Sequence, residues 1–285
     1  MTEQALTTAQ RPPDAARVVV IGGGIVGVST AYHLAELGWT DVVLLEQGRL
    51  TCGTTWHAAG LVGQLRAHPS MTRLIRYSTD LYARLEAETG LATGWKQCGS
   101  LAVARTADRM IQLRRTAATA RAQNVACDLL TPAEAGALFP LMDIAGLQGG
   151  VWLPGDGKAN PADLTQALAK GARRRGVRIV EGATVTGATR CRGAAGGPRI
   201  TELAWRAKDG TGGTIAADTV VLAAGQWSRA LGRQLFDATV PLFSCEPFYI
   251  VTDRVAGVTP SLPTMRDVRG YEEKDPETMR HLTSG

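Results

Sequence analysis

Three glycines and one acid carry the first recognisable chemistry of this chain. Gly22-x-Gly24-x-x-Gly27 follows the apolar run Val18 to Ile21 and opens a helical pattern, while Glu46 ends a second apolar run, Val42 to Leu45. Glycines so spaced divide the labour of phosphate binding: Gly22 permits a tight turn, Gly24 lets the backbone approach a pyrophosphate, and Gly27 lets the helix pack closely on the strand. Glu46 stands where an acidic residue receives ribose hydroxyls, and its charge repels a 2′-phosphate. The pattern predicts a dinucleotide site, disfavours NADP, and leaves NAD and FAD both open. The next segment, Thr51-Cys-Gly-Thr54-Thr55-Trp-His57-Ala-Ala-Gly60, is rich in small and hydroxyl-bearing residues. Such a stretch can pass close to a bulky flat ligand without clashing.

The elements that must hold these residues follow from hydrophobic period and punctuation. Val18 to Ile21 has the continuous apolar character of a parallel strand buried on both faces. Val26, Thr30, Leu34 and Leu37 share a helical face, and Gly38 is placed to stop that helix. Ser70 to Glu88 predicts a helix packed on one side through Met71, Leu74, Ile75, Leu81, Tyr82 and Leu85, with Met71 and Tyr82 assigned to the core. A strand is expected within Gly94 to Ala104, and a surface helix over Thr106 to Gln123. Thr131-Pro-Ala-Glu134 has capping-box spacing, and its short helix stops before Pro140. Gly149 to Leu153 reads as a strand, Asn160-Pro161 opens a helix running through Arg175, and Val177 to Val180 is the strand after it. Arg199 to Ala207 and the Asp209-Gly210 turn predict a small antiparallel meander. Thr219 to Gly225 then repeats the pattern of buried strand followed by glycine, as expected for a strand that rejoins the first sheet.

Composition narrows the classes. The net charge is +5, and its densest cluster, Arg173-Arg174-Arg175, sits where cations complement a helix C-terminus. Aromatic residues are few and not interleaved with Lys and Arg, which argues against a nucleic-acid surface. The five cysteines are widely spaced without metal-like pairing, so reduced thiols and no metal site are expected. No apolar run approaches membrane-spanning length, and the first sixteen residues have no signal-like core, so a soluble cytoplasmic protein is expected.

At Val18 to Gly60, Gly155 to Pro161 and Asp218 to Trp227 the sequence resembles the glycine-oxidase and D-amino-acid-oxidase superfamily of FAD enzymes, in particular its dimethylglycine and sarcosine dehydrogenase branch. The most specific words are Leu50-Thr-Cys-Gly-Thr-Thr-Trp-His57-Ala-Ala-Gly, Thr89-Gly-Leu-Ala-Thr-Gly-Trp95 and Phe139-Pro-Leu-Met142. The resemblance implies that His57 is joined covalently to the flavin 8α-methyl; a neutral imidazole nitrogen is a competent nucleophile for that bond. It further implies that Glu46 binds the AMP ribose, Val185 lies on the strand cradling adenine, Gly225 approaches the cofactor, and Thr54 and Thr55 contact it. Arg66 is the candidate clamp for a substrate carboxylate, since guanidinium matches it bidentately. Tyr249 corresponds to a tyrosine facing the substrate pocket. Two departures stand out: Pro247 replaces a histidine, and Cys52 replaces a serine in the flavin loop.

The fold class implied is α/β (α+β overall): a Rossmann-like FAD-binding domain of the D-amino-acid-oxidase type with an antiparallel-sheet substrate domain, incomplete at its C-terminus. Residues 17–92 and 154–240 are assigned to the FAD-binding domain and 93–153 and 241–271 to the substrate domain, with 1–16 and 272–285 expected to be disordered. The function implied is oxidation of the C–N bond of an N-methylated amino acid such as sarcosine or dimethylglycine. Folate and an electron-transfer protein are implied as partners of longer relatives. Two alternatives remain: a non-catalytic regulatory flavoprotein of the same fold, in which Pro247 marks lost catalysis, and an NAD-dependent dehydrogenase. The Thr54-Thr55-Trp-His57 segment and the meander weigh against the latter.

Overall fold

The computed structural model describes residues 11–192, 198–246 and 251–267. In chain order its elements are β1 (Ala15–Ile21), α1 (Ile25–Glu36), β2 (Val42–Glu46), a 3-10 turn (Thr55–His57), β3 (Leu61–Val62), α2 (Pro69–Thr89), β4 (Ser100–Ala104) and α3 (Ala107–Ala122). There follow β5 (Asp128–Leu130), α4 (Pro132–Leu138), β6 (Gly149–Leu153), β7 (Gly157–Lys158), α5 (Pro161–Arg174), β8 (Arg178–Glu181) and β9 (Ala183–Arg192). The series ends with β10 (Pro198–Ala207), β11 (Gly212–Leu222), a 3-10 turn (Gly225–Trp227), α6 (Ser228–Leu235) and β12 (Thr264–Asp267).

The chain divides into two compact units. The described residues within Met1–Ala59, Arg84–Gly94 and Asn160–Tyr249 form the first, and those within Gly60–Ala83, Trp95–Ala159 and Ile250–Gly285 form the second. The second unit thus takes residues 60–83 and 154–159, which the sequence reading gives to the FAD-binding domain. The local reason is hydrogen bonding: β3 pairs antiparallel with β7, so Leu61 and Val62 go with Gly157 and Lys158.

The first unit is built on a six-stranded sheet in the order β8-β2-β1-β11-β10-β9. β8, β2, β1 and the end of β11 run parallel, and Val18, Val19 and Val20 are buried as the apolar run requires. The predicted meander and the predicted returning strand share a single strand. β11 pairs antiparallel with β10 over Gly212–Ala216 and parallel with β1 over Ala216–Leu222, so the meander extends the nucleotide-type sheet.

α1 corrects an expectation. Its buried residues are Gly27, Val28, Ala31 and Tyr32, whereas Val26 and Leu37 are 66% and 77% exposed. Close approach decides the face, because a Cβ on Gly27 would lie 1.9 Å from the Gly22 carbonyl oxygen. On its other flank α1 meets α5, where the Tyr32 ring leaves no room for a Cβ on Gly171. Asn160 caps α5 by accepting from the N–H groups of Ala162 and Asp163, as its sequence predicts. The three arginines at the end of α5 are engaged locally: Arg174 donates to the Glu88 carbonyl, Arg175 pairs with the Glu88 carboxylate, and Arg173 lies 3.9 Å from Glu181.

The second unit holds a four-stranded sheet in the order β12-β4-β6-β5, in which β12 is parallel to β4 and the other pairs are antiparallel. Thr106 caps α3, and Thr131 and Glu134 form the expected capping box on α4. α2 departs from its predicted face: Met71 and Leu74 are exposed, while Thr72 and Thr79 are buried. Their hydroxyls are satisfied by the preceding loop, since Thr72 Oγ1 accepts from the Arg66 N–H at 2.9 Å and Thr79 Oγ1 from Gln64 Nε2 at 3.0 Å. A polar side chain with a local partner is buried at little cost.

Candidate functional site

A cleft of about 700 Å³ opens in the first unit above the ends of β1, β2 and β11. Its floor follows from the glycine spacing. Gly22, at φ +113°, lets β1 turn, and a Cβ there would lie 2.4 Å from the Ala223 carbonyl oxygen at the end of β11. Gly24 is the N-cap of α1, with no side-chain cap and no acidic residue in the first turn of the helix. That helix end therefore carries no acidic side chain of its own where Gly22, Gly24 and Ile25 line the cleft, a setting suited to an anion. Gly27 does not line the cleft; it lies beneath it, where helix and strand touch.

Glu46, 7% exposed, lines the same cleft. Its Oε2 accepts from the Gly23 N–H at 2.6 Å and its Oε1 from the Gly48 N–H at 2.7 Å. A carboxylate has about four acceptor positions, so these two bonds lock the side chain without exhausting its acceptor capacity. Cys52 Sγ lies 3.6 Å from Glu46 Oε1, and burial, then the neighbouring Glu46 charge, push its thiol above the ordinary range. The serine-to-cysteine departure thus places a protonated thiol beside the acid.

Thr54 and Thr55 line the cleft from the following loop. The Thr55 hydroxyl accepts from the Ile25 N–H at 3.1 Å, which ties this loop to the start of α1. Val185 on β9 and Gly225 after β11 complete the set of predicted residues that the cleft brings together. His57 is not in the lining. It is exposed at the end of the 3-10 turn whose beginning lies in the cleft, and its ring stacks on Trp56 with centroids 3.7 Å apart.

Sequence reading missed one wall. Trp227, Leu231 and Gln234 of α6 and its approach, with Val240 and Leu242 beyond, also face the cleft. The signal was present in the alternation of small, apolar and basic residues after Gly225, which makes α6 strongly one-sided. Among the described lining residues Glu46 is the only charged side chain. An anionic group in this cleft would therefore be met by backbone N–H groups and a helix end.

In the second unit, Arg66 donates from Nη1 to the Leu65 carbonyl at 2.8 Å. A Cβ on Gly63 would meet both Arg66 Nη1 and Asp156 Oδ2. Asp156 is buried and accepts from the Gln64 N–H at 2.7 Å and the Ser100 hydroxyl at 2.5 Å. Burial pushes its carboxyl above the usual range, although the two hydrogen bonds and the charges of Arg66 and Arg266 pull the other way. Tyr249 and Pro247 lie outside the described residues. Among the described residues no cluster of three His, Cys, Asp or Glu side chains could hold a metal, and no helix is long and apolar enough to cross a membrane. All five cysteines are free.

Comparison with known proteins gives these features a context. The chain is 40% identical over 256 residues to human mitochondrial sarcosine dehydrogenase, covering 90% of this chain and 27% of that protein. It is 36% identical over 241 residues to the mouse mitochondrial regulatory subunit of pyruvate dehydrogenase phosphatase, covering 84% and 26% of the two chains. It therefore spans about a quarter of the length of these relatives. Among solved structures, L-proline dehydrogenase from P. horikoshii superposes with a TM-score of 0.69 at 28% identity, covering 78% of this chain and 56% of that one. The sequence profile of the DAO family, described as FAD dependent oxidoreductase, matches residues 17–282. With that match over nearly its whole length, and with a glycine-lined cleft closed by a buried glutamate, the chain belongs to the DAO family of FAD-dependent oxidoreductases.

Proposed function

We propose that this protein oxidises the C–N bond of an N-methylated amino acid such as sarcosine or dimethylglycine, with FAD held in the cleft and anchored covalently through His57. The observation that carries the reading is the cleft itself, and its residues fit FAD. Gly22 and Gly24 bring backbone and the α1 terminus to the place of a pyrophosphate. Glu46 offers its remaining acceptor positions to ribose hydroxyls, and Ala183, Thr184 and Val185 present the start of β9 to adenine. Gly225 admits close backbone approach, and Thr54 and Thr55 follow the cofactor toward His57. The likeness to sarcosine dehydrogenase over 90% of the chain supports the substrate class.

When bound, FAD supplies the ring that accepts a hydride from the substrate carbon. The residues of the protein have the remaining tasks of holding the substrate amine neutral, orienting its carboxylate and excluding water. We assign the carboxylate to Arg66, whose loop is fixed by Thr72, Gln64 and Asp156, and a pocket-facing role to Tyr249.

The test is anaerobic addition of sarcosine or dimethylglycine to the flavin-loaded protein, which is expected to bleach the visible flavin band. The similarity to a phosphatase regulatory subunit, together with Pro247, favours a second reading as a non-catalytic flavoprotein. Absence of bleaching with every N-methyl amino acid tried would decide for that reading.

A further inference from the structure

We infer that Arg229 and Arg233 form an entry site for the cofactor: the two guanidinium groups draw the pyrophosphate of FAD toward the cleft and so set the rate at which it binds. The inference rests on the proposed placement of FAD in the cleft. It starts from a mismatch of charge. A pyrophosphate is anionic, whereas the only charged side chain among the described lining residues is the acid Glu46, which repels it. The α1 terminus favours an anion only at short range, within the first turn. The lining therefore suits an anion that has arrived and does little to attract one from solution.

The attraction lies on the other side of the α6 wall. Ser228, Ala230, Leu231 and Gln234 of α6 line the cleft. Gln226, Arg229 and Arg233 line a second hollow of about 450 Å³, which shares Ala230 and Gln234 with the cleft. Arg229 and Arg233 are four residues apart, so their side chains are neighbours on successive turns of the helix. Both are exposed, and among the described residues neither takes an ion pair or a hydrogen bond. The next acid along the chain, Asp237, lies 3.9 Å from Arg190 instead.

Helix stability does not account for the pair. Arg233, in the last turn of α6, complements the helix C-terminus, but Arg229 is the second residue of a helix whose first turn has no acid. A cation there opposes the helix dipole. The arginines that end α5 differ in both respects, since they stand at the favourable end and Arg173 and Arg175 are paired with Glu181 and Glu88. Unpaired charges beside a binding cleft act mainly on the rate of association and its salt dependence, and little on dissociation.

The experiment mixes FAD with flavin-free protein carrying His57→Ala, which lacks the proposed attachment residue, and follows flavin fluorescence by stopped flow between about 0.02 M and about 0.5 M salt. At low salt, adding Arg229→Gln with Arg233→Gln is expected to slow association roughly five- to tenfold. At high salt, where the charges are screened, the rates are expected to agree within about twofold. The dissociation rate and the melting temperature of the flavin-free protein are expected to stay unchanged. Arg229→Lys with Arg233→Lys keeps both charges and is expected to associate at the parent rate. Arg114→Gln with Arg115→Gln, on α3, removes the same net charge and is expected to leave association unaltered. An unchanged low-salt rate in the glutamine pair on α6 overturns the inference, as does equal slowing by the pair on α3. Faster dissociation with unchanged association also overturns it, because the arginines would then be contacts of the bound cofactor. Absence of saturable FAD binding by the parent protein removes the placement of FAD itself, and the inference with it.

Discussion

Glu46 shows how one side chain can organise a loop and a ligand site together. Both its oxygens are already used by backbone N–H groups, at Gly23 and Gly48, so its position is fixed before any ribose arrives. Glu46→Ala leaves the buried Gly23 N–H without an acceptor, and this change is expected to cost about 1–3 kcal/mol of stability in flavin-free protein. Glu46→Gln keeps one acceptor oxygen, and is expected to recover much of the stability while still binding FAD weakly. Urea unfolding and FAD titration of the two variants separate the structural role from the binding role; identical unfolding midpoints for wild type and Glu46→Ala would remove the former. Gly27 offers a contrasting case, because it is not among the residues that line the cleft. With a Cβ only 1.9 Å from the Gly22 oxygen, Gly27→Ala is expected to displace α1 and abolish flavin binding from beneath the site.

At the scale of elements, α1, α5 and the end of α2 meet at one polar cluster within the first unit. Tyr32 donates to both oxygens of Glu88 (3.0 and 2.8 Å), Arg175 donates to Oε1 at 2.7 Å, and the Arg175 guanidinium lies 4.9 Å over the Tyr32 ring. Burial alone would raise the Glu88 carboxyl, but hydrogen bonds from Arg175 and Tyr32 and the charges of Arg175 and Arg84 hold it below the usual range. A depressed acid contributes stability that is present above its unfolded pKa, about 4.3, and is lost as pH falls through the lower folded value. Tyr32 has the opposite sign. Burial, then the bond to Glu88 and its charge, push it up to about 12, so its contribution is complete below pH about 10 and is lost as pH rises through the folded value. Glu88→Gln is therefore expected to flatten the acid limb of the stability profile and Tyr32→Phe the alkaline limb, as measured by urea midpoints across pH. Unaltered limbs in both variants would refute the assignment. Elements like these also mark the limit of what the sequence discloses. The glycine turn, Glu46, the Thr131–Glu134 box and the Asn160 cap were legible because local backbone sterics and capping dictate them. The buried faces of α1 and α2 were not, because tertiary partners placed Gly27 and Tyr32 inward and gave Thr72 and Thr79 satisfied burial. The α6 wall of the cleft escaped for the same reason: its lining role depends on where β11 delivers it.

For the molecule as a whole, the net charge of +5 conceals the local electrostatics of the cleft. The lining holds one acid and no cation among the described residues, so overall positive charge does not select the ligand. On the proposed reading, selection falls to the α1 terminus, which would accept a pyrophosphate from any dinucleotide, and to Glu46, which would accept ribose hydroxyls and repel a 2′-phosphate. Ligand-linked stability of the whole chain makes this measurable. A ligand that binds only the folded state at about a hundredfold excess over its dissociation constant adds roughly 2.7 kcal/mol. Flavin-free His57→Ala protein, which lacks the proposed attachment residue, is expected to melt several degrees higher with excess FAD and to be unmoved by NADP at the same concentration. Glu46→Gln removes the repelling charge, so the NADP shift is expected to rise toward that of NAD while the FAD shift falls. Equal stabilisation of the His57→Ala protein by FAD and NADP would show that the 2′-position does not meet Glu46, and the placement of the ribose would have to be abandoned.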